Sequence, residues 1–432
     1  MYKKTLVFIF IYTLFGFKLS LLGRTGDEQG GNILSSIRID DVIIVFFTLI
    51  YIFKGRTGSI FLSKKPVFCF LVYIFVSIVS TIYNSTFGEV DFLASLLFTL
   101  RPLEYYVYIA LGYELAKSKF SPDLTLKVYV VYCLFLITGQ TVGLIGGVSN
   151  FSFDRAIANT GGPWELAAVS AFLMSYFIIS KNASFSAISS FILLLTQSRI
   201  TLVASILVLF FYNLRSVALI ARKKIVILSV CLLSASSLIY AVYSLATFDS
   251  VSRQYASTGG VTARFETFGS NDTLTTLNDI LVNTKAANNR QDYFNKTYGE
   301  GLNDILTSSG EGDASAFIRF TRWVTLIKTA SNNIVTLLIG LGPSYAGKAV
   351  DGNYVRIFVE TGIFGLLTYF LFLISCLRNI KQKLLTNYIW ILIITALFID
   401  IFVTFKAMFF FWFFYGYYIY NCQEIKNKGG IS

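Results

Sequence analysis

Two apolar runs, 225–245 and 354–376, are each long enough to cross a bilayer, since about 20 helical residues span the hydrocarbon. Between them lies 248–351, about 100 residues rich in Ser, Thr, Asn, Asp and Gly. It runs from Asp249 and Arg253 through Asn288-Asn289-Arg290 to Gly310-Glu311-Gly312-Asp313. Such a stretch cannot sit in hydrocarbon, where every unsatisfied polar group is costly, so it must form one large loop on one face of a membrane. Toward its end, over 316–327, apolar residues recur at helical spacing, which predicts an amphipathic helix returning the chain to the bilayer. The chain thus divides into N-terminal membrane helices (1–247), the loop (248–351) and C-terminal membrane helices (352–432).

Composition agrees. With 55% hydrophobic and only 14% charged residues, the class is an all-α polytopic membrane protein. The net charge of +12 does not indicate nucleic acid as a partner, because the basic residues cluster in short segments beside apolar runs, as in cytoplasmic loops. Cys69, Cys133, Cys231 and Cys376 fall in apolar runs and Cys422 near the C-terminus, so no disulfide framework is indicated. The chain has no histidine, which excludes His-based acid–base chemistry and a Ser-His-Asp triad. No metal-ligand cluster and no phosphate-binding Gly-rich loop followed by Lys and Ser or Thr is present.

The apolar runs predict about twelve crossings: a retained first span at 5–22, then 41–53, 66–83, 92–115, 124–145, 164–180, 185–196, 201–212, 225–245, 354–376, 385–404 and 407–420. Alternate connections differ in charge. One set carries Lys3-Lys4, Lys54, Arg56, Lys64-Lys65, Lys117, Lys119, Lys127, Lys181, Arg215, Arg222-Lys223-Lys224, Arg378, Lys381, Lys383, Lys426 and Lys428. The other is poor in Lys and Arg, with Lys406 the clear exception. The excess of Lys and Arg places the first set, with both termini, in the cytoplasm and the large loop outside. The aromatic run 409–414 reads as a lipid-facing helix.

Three outward-facing places could carry chemistry. The first is the loop Arg155 to Glu165, where Gly161-Gly162-Pro163-Trp164 opens a helix, with Arg155 and Glu165 expected at the water–lipid boundary. On this segment alone a plain connection with an interfacial Trp is the simpler reading. The second is Gln197-Ser198-Arg199 between two apolar runs, where Arg199 either snorkels or meets an anion. The third combines Arg319 and Arg322, three apart on the amphipathic helix, with Gly340-Leu341-Gly342-Pro343 and Asp351-Gly352-Asn353-Tyr354-Val355-Arg356. Two like charges so placed either diverge into solvent or share an anion. Arg356 and Glu360 stand four apart and can pair. Asp351 either caps the following helix or pairs with an arginine, or else acts as a base. Arg101 with Glu104 reads as a buried pair, and Asp400 as a lone acid lining a bundle. Guanidinium groups match phosphate oxygens bidentately and stay charged, so the ensemble suits a membrane-bound diphosphate.

The ordered set Leu193-Leu194-Leu195-Thr196-Gln197-Ser198-Arg199, Arg319 with Trp323, Gly340-Leu341-Gly342, Asp351 with Asn353-Tyr354, and Glu360-Thr361-Gly362-Ile363-Phe364-Gly365-Leu366 resembles the O-antigen polymerase and ligase superfamily. Arg155 with Gly161-Gly162-Pro163-Trp164-Glu165-Leu166 is more similar to its Wzy-type polymerases. The resemblance covers about 155–371 and implies a GT-C-like membrane glycosyltransferase in a bacterial inner membrane. Such an enzyme works at the periplasmic face without metal or cofactor, and its substrate is an undecaprenyl-diphosphate-linked oligosaccharide. Its partners would be the lipid bilayer and a chain-length regulator. The catalytic residues so implied are Arg199, Arg319 and Asp351. Arg155, Glu165, Arg322, Asn353 and Arg356 would bind substrate. The ligase branch carries His where Asp351-Gly352 stands here, which favours the polymerase. An O-antigen ligase acting on lipid A core and a lipid-linked oligosaccharide flippase are the alternatives, although no internal repeat of the transporter kind is present.

The charge alternation makes a topological prediction. A reporter active only outside the cytoplasm should work when fused near Asn289 and fail near Lys223 or Lys381. Activity at Lys223 would place every candidate residue on the inner face.

Overall fold

The computed structural model describes residues 2–16, 42, 44–48, 51, 65–142, 144–145, 155–220, 271–298, 314–347 and 350–429. The expected span 225–245, part of the expected span 41–53, and 248–270 and 299–313 of the polar stretch lie outside them. The described residues are all-helical, without strands. The helices are α1 (Tyr2–Phe15), α2 (Lys65–Thr86), α3 (Phe92–Tyr106), α4 (Tyr108–Lys117), α5 (Asp123–Thr141), α6 (Pro163–Ile179), α7 (Ala183–Leu195) and α8 (Arg199–Ile220). They continue with α9 (Asn271–Asn283), α10 (Arg290–Thr297), α11 (Ala314–Ala330), α12 (Ile334–Ile339), α13 (Asn353–Asn379), α14 (Lys383–Thr395) and α15 (Phe405–Gly429).

Among the described residues α2, α5 and α13 are long and apolar enough to cross a membrane. Pro163–Ile179, Ala183–Leu195, Arg199–Phe210 and Lys383–Thr395 are apolar but shorter. The run read as one span at 92–115 is divided into α3, which contains Pro102, and α4 at Val107, which itself keeps right-handed helical dihedrals (φ −58°, ψ −25°). The predicted amphipathic helix is α11, a little longer at both ends.

The chain forms two compact units. The first comprises 1–71, 100–234 and 371–432, and within it α15 packs against α4, α6 and α14. Phe409, Phe410, Phe411, Trp412, Phe413 and Phe414 are all buried, which corrects the lipid-facing reading of this run. The reason is tight packing on several sides. Phe10 stacks on Phe413 at 4.5 Å, Tyr108 meets Phe409 edge-on at 4.7 Å, and Phe172 lies 4.8 Å from Phe410 and 4.7 Å from Phe414. A helix apolar all round is buried by protein when neighbours can reach every side. Gly112 of α4 and Gly416 of α15 allow this: a Cβ on either would overlap the backbone carbonyl of Phe413 or Ile109, so the two helices touch backbone to backbone. Lys406, the exception to the charge rule, is buried, and its Nζ donates to the carbonyls of Leu14 (2.9 Å) and Gly16 (3.2 Å). Asp400, buried just before the short 3₁₀ turn Ile401–Val403, fits the interior reading.

The second unit comprises 72–99 and 235–370. Its core gathers Val90, Tyr293, Phe294, Tyr298, Leu326, Tyr345, Val350 and Val359. Side chains knit the described residues of 271–347. Lys328 Nζ donates to the carbonyls of Leu281 and Thr284 (both 2.7 Å) at the end of α9, where cations are favoured. Thr329 Oγ1 accepts from Ala287 N, and Arg290 donates to the carbonyls of Ser344 and Tyr345. Asp292 accepts from Lys296 Nζ and from Asn288 N, which hold its carboxyl below the usual range. Helix α13 is broken at Gly362 (φ 67°), where the chain turns out of helical geometry. The segment after α12 fills the break: Leu341 N donates to Val359 O (2.7 Å) and Gly342 N to Glu360 O (3.1 Å). From α2, Ser80 Oγ also donates to Glu360 O (2.8 Å) and Asn84 Nδ2 to Gly340 O (3.1 Å).

Overpacking a well-filled core costs about 1–3 kcal/mol, and more where backbone must move. Gly416→Val should therefore lower the unfolding temperature in detergent sharply. Leu207→Ala, on a side chain 40% exposed, should barely shift it.

Candidate functional site

The first unit brings Arg155 and Arg199 to one turn. Helix α7 ends at Leu195, and Gln197 adopts a left-handed conformation (φ 52°) that turns the chain tightly into α8, whose first residue is Arg199. The loop from Arg155 docks on this turn: Ala156 N donates to Leu195 O (3.0 Å) and Arg155 Nε to Thr196 O (3.1 Å). Both arginines are half-buried there. The turn itself is braced by Ser198 N on Thr196 Oγ1 and by Ser198 Oγ against Thr201 Oγ1 (3.0 Å).

What holds the docking loop is a buried polar network. Gln140 bonds both the N–H and the C=O of Ala158. Asn159 donates to Leu14 O (2.7 Å) and accepts from Tyr129 Oη (3.1 Å). Glu165 lies inside the unit, 1% exposed, and not on its rim. One of its oxygens accepts from Gly161 N and the other from Lys406 N, both at 2.6 Å. Its carboxylate sits on backbone donors, so it fixes the loop that presents Arg155.

In the second unit, α11 and the turn before α13 form the other cluster. Arg319 Nε donates to Asp351 Oδ2 at 2.9 Å, and both side chains are about one-third exposed (37% and 36%). Asp351 is left-handed (φ 55°), a conformation that Asn and Asp tolerate better than most residues. Trp323, one turn along α11 from Arg319, fixes this geometry: its Nε1 donates to Val350 O (2.8 Å), and its ring lies against Gly352, where a Cβ would collide. Arg322 does not join Arg319 at a shared anion; the two diverge. Arg322 is buried, 3.9 Å from the Tyr298 ring centre, with Nε and Nη2 toward Thr297 O (3.4 Å each). Stacking on an aromatic face stabilises a guanidinium withdrawn from water.

Arg356 and Glu360 pair as the spacing predicts, at 3.2 Å, but deep inside, with side chains 3% and 5% exposed. Arg356 also donates to Gly347 O (2.8 Å) and lies over Phe98 at 5.3 Å. Asn353, the first residue of α13, is buried as well. Of the expected site residues, Arg155, Arg199, Arg319 and Asp351 are thus partly exposed, whereas Glu165, Arg322, Asn353 and Arg356 lie within the units. Trp323, Thr297, Tyr298, Ser80 and Asn84 position the cluster without having been singled out for that role. Ser80 and Asn84, four apart in apolar α2, were the legible signal. Among the described residues no group of three or more His, Cys, Asp or Glu side chains could hold a metal ion. No known protein family, curated protein or solved structure matches the chain.

The two ion pairs predict opposite stability effects. An exposed pair contributes about 0–1 kcal/mol, whereas removing one partner of a buried pair costs roughly 3–5 kcal/mol. Thermal unfolding should therefore show Asp351→Asn near wild type and Glu360→Ala strongly destabilised. Equal losses would mean that the Arg319–Asp351 pair is also structural.

Proposed function

We propose that the chain is a Wzy-type polysaccharide polymerase of a bacterial inner membrane. On this reading it crosses the membrane about twelve times, with both termini cytoplasmic and the large loop in the periplasm. It transfers a growing glycan from undecaprenyl diphosphate to a sugar hydroxyl of the next lipid-linked repeat unit. The observation that carries the reading is the Arg319–Asp351 pair. A guanidinium and a carboxylate 32 residues apart are fixed together by Trp323, and both stay about one-third exposed beside the broken helix. The Arg356–Glu360 pair is sealed inside, whereas this one keeps its charges within reach of a ligand.

In the reaction the acceptor oxygen forms a bond to the anomeric carbon while the bond from that carbon to diphosphate breaks, leaving undecaprenyl diphosphate with the electron pair. The charge grows on phosphate oxygens, so preorganised cations that need not move at the moment of reaction lower the barrier. Arg199 and Arg319 supply this, with Arg155 in support, whereas Arg322, buried against Tyr298, braces the helix that carries Arg319. Arg319 engages Asp351 through Nε, and its terminal nitrogens form the fork that matches phosphate oxygens. Asp351 orients the acceptor hydroxyl and accepts its proton. Glu165 and Arg356, both buried, hold the backbone that presents these groups, and Asn353 is buried at the start of α13.

Purified variants assayed with lipid-linked repeat units test this. Ala at Arg199 or Arg319 should abolish long-chain product at normal protein level, and Lys should rescue poorly because it lacks the fork. Asp351→Asn should lower the rate about 100-fold or more, within the usual contribution of a positioned acid–base group. Full rescue by Lys, or a near wild-type Asn variant, would overturn these roles. Deleting the gene separates the alternatives: a polymerase mutant displays a single capped repeat unit, a ligase mutant caps nothing, and a flippase mutant exports nothing.

A further inference from the structure

Helix α12, Ile334-Val335-Thr336-Leu337-Leu338-Ile339, has no buried residue, although five of its six side chains are apolar. Ile334 is 67% exposed, and Ile327, just before it on α11, is 39% exposed. The polar groups of this segment nevertheless find partners within the chain. Asn333 Oδ1 accepts from Val335 N (2.9 Å), and Thr336 Oγ1 donates to Ala330 O and Asn333 O (2.9 Å each). Gly340 N donates to Thr336 O, and the next two N–H groups enter the break in α13. Such economy matters little in water and much in hydrocarbon, where no solvent can replace a lost partner.

The placement of α12 along α13 decides between those solvents. A Cβ on Gly362 would overlap the carbonyl of Leu338, so the end of α12 lies directly on the break. Beyond the break, α13 keeps only 363–379. At 1.5 Å per residue that is about 25 Å, less than the hydrocarbon thickness of about 30 Å. If α13 crosses the membrane, the hydrocarbon boundary must therefore lie at or before Gly362, which puts Leu338 and Ile339 inside it. Phe364 and Leu367, on α13 just past the break, are apolar and exposed too. The turn leading into α12, Ser331-Asn332-Asn333, is polar and exposed, as expected where a chain dips in from the headgroup side.

We propose that α12 is a membrane-inserted surface that contacts the acyl chains of the bilayer beside the broken helix. The large loop would then be anchored in lipid at its C-terminal end as well as tethered by its flanking spans. The half-helix from Asn353 to the break, about 13 Å long, would stand Asp351 and Arg319 above the hydrocarbon, toward the phosphate level of the bilayer. The inference needs only that α13 spans the membrane; it does not depend on the polymerase reading.

The test reads lipid contact and not activity, so its failure is distinguishable from failure of the catalytic proposal. In the full chain with native cysteines replaced by serine, nitroxides at Ile334→Cys and at Gln291→Cys, an exposed position on α10, are compared in proteoliposomes. Collision with oxygen should exceed collision with a water-soluble nickel chelate several-fold at 334, and the order should reverse at 291. In parallel, Ile334→Trp in the native-cysteine chain should be quenched more by brominated phospholipid than wild type, a readout that survives if cysteine replacement disrupts folding. Nickel access at 334 equal to that at 291 would place α12 in water and overturn the proposal. Protection of 334 from both colliders would show that protein covers α12, a second copy included, and would overturn it equally.

Discussion

The second unit depends on how the break in α13 is closed. Interrupting an apolar helix at Gly362 frees backbone carbonyls, and a freed carbonyl away from water costs free energy comparable to a lost hydrogen bond. Here Leu341 N takes Val359 O, while Gly342 N and Ser80 Oγ share Glu360 O. That solution needs backbone-to-backbone approach. It is why glycine stands at 340 and 362, both with positive φ and both with a neighbouring peptide where a Cβ would be. Once the 340–342 segment is seated there, the chain that follows is carried to the start of α13, with Tyr345 and Val350 in the core and Asp351 at the turn. The position of the exposed carboxylate is thus a consequence of satisfying buried amides.

The first unit solves a similar problem with side chains. Its loop from Arg155 to Gly162 contains few apolar anchors, so it is held by Gln140, Asn159 and Glu165 acting on backbone groups. Burying a carboxylate is costly unless its oxygens receive donors, and Glu165 receives Gly161 N and Lys406 N. In both units, then, buried polar groups give the backbone its shape and partly exposed arginines are presented from it. This division explains why only about half of the arginines and acids that look functional by pattern are open to a ligand.

Much of the helical architecture was legible. The spans read at 66–83, 124–145, 164–180 and 354–376 coincide closely with α2, α5, α6 and α13, because long apolar runs bounded by polar residues have few alternatives to helix. The Arg356–Glu360 pair was legible from its spacing. The lipid-facing reading of 409–414 was not correct, because an apolar helix surrounded by lipid and one surrounded by Phe10, Tyr108 and Phe172 have the same composition. Only Gly112 and Gly416, more than 300 residues apart, hint at the tight contact between α4 and α15.

By itself the sequence determined the helical class, the apolar segments suited to a membrane, the long polar stretch at 248–351 and the chemical type of every candidate group. These properties follow from composition and local spacing, which a chain carries wherever it folds. Tertiary structure alone decided which charges are open and which are internal. Arg319 and Arg322 are three residues apart on one helix, yet one meets Asp351 at the surface and the other stacks on Tyr298 in the interior. Glu165 and Arg155 belong to one short loop, yet Glu165 is sealed by a backbone N–H from 241 residues away. Exposure is set by which distant segments pack over a side chain, and no local pattern encodes that.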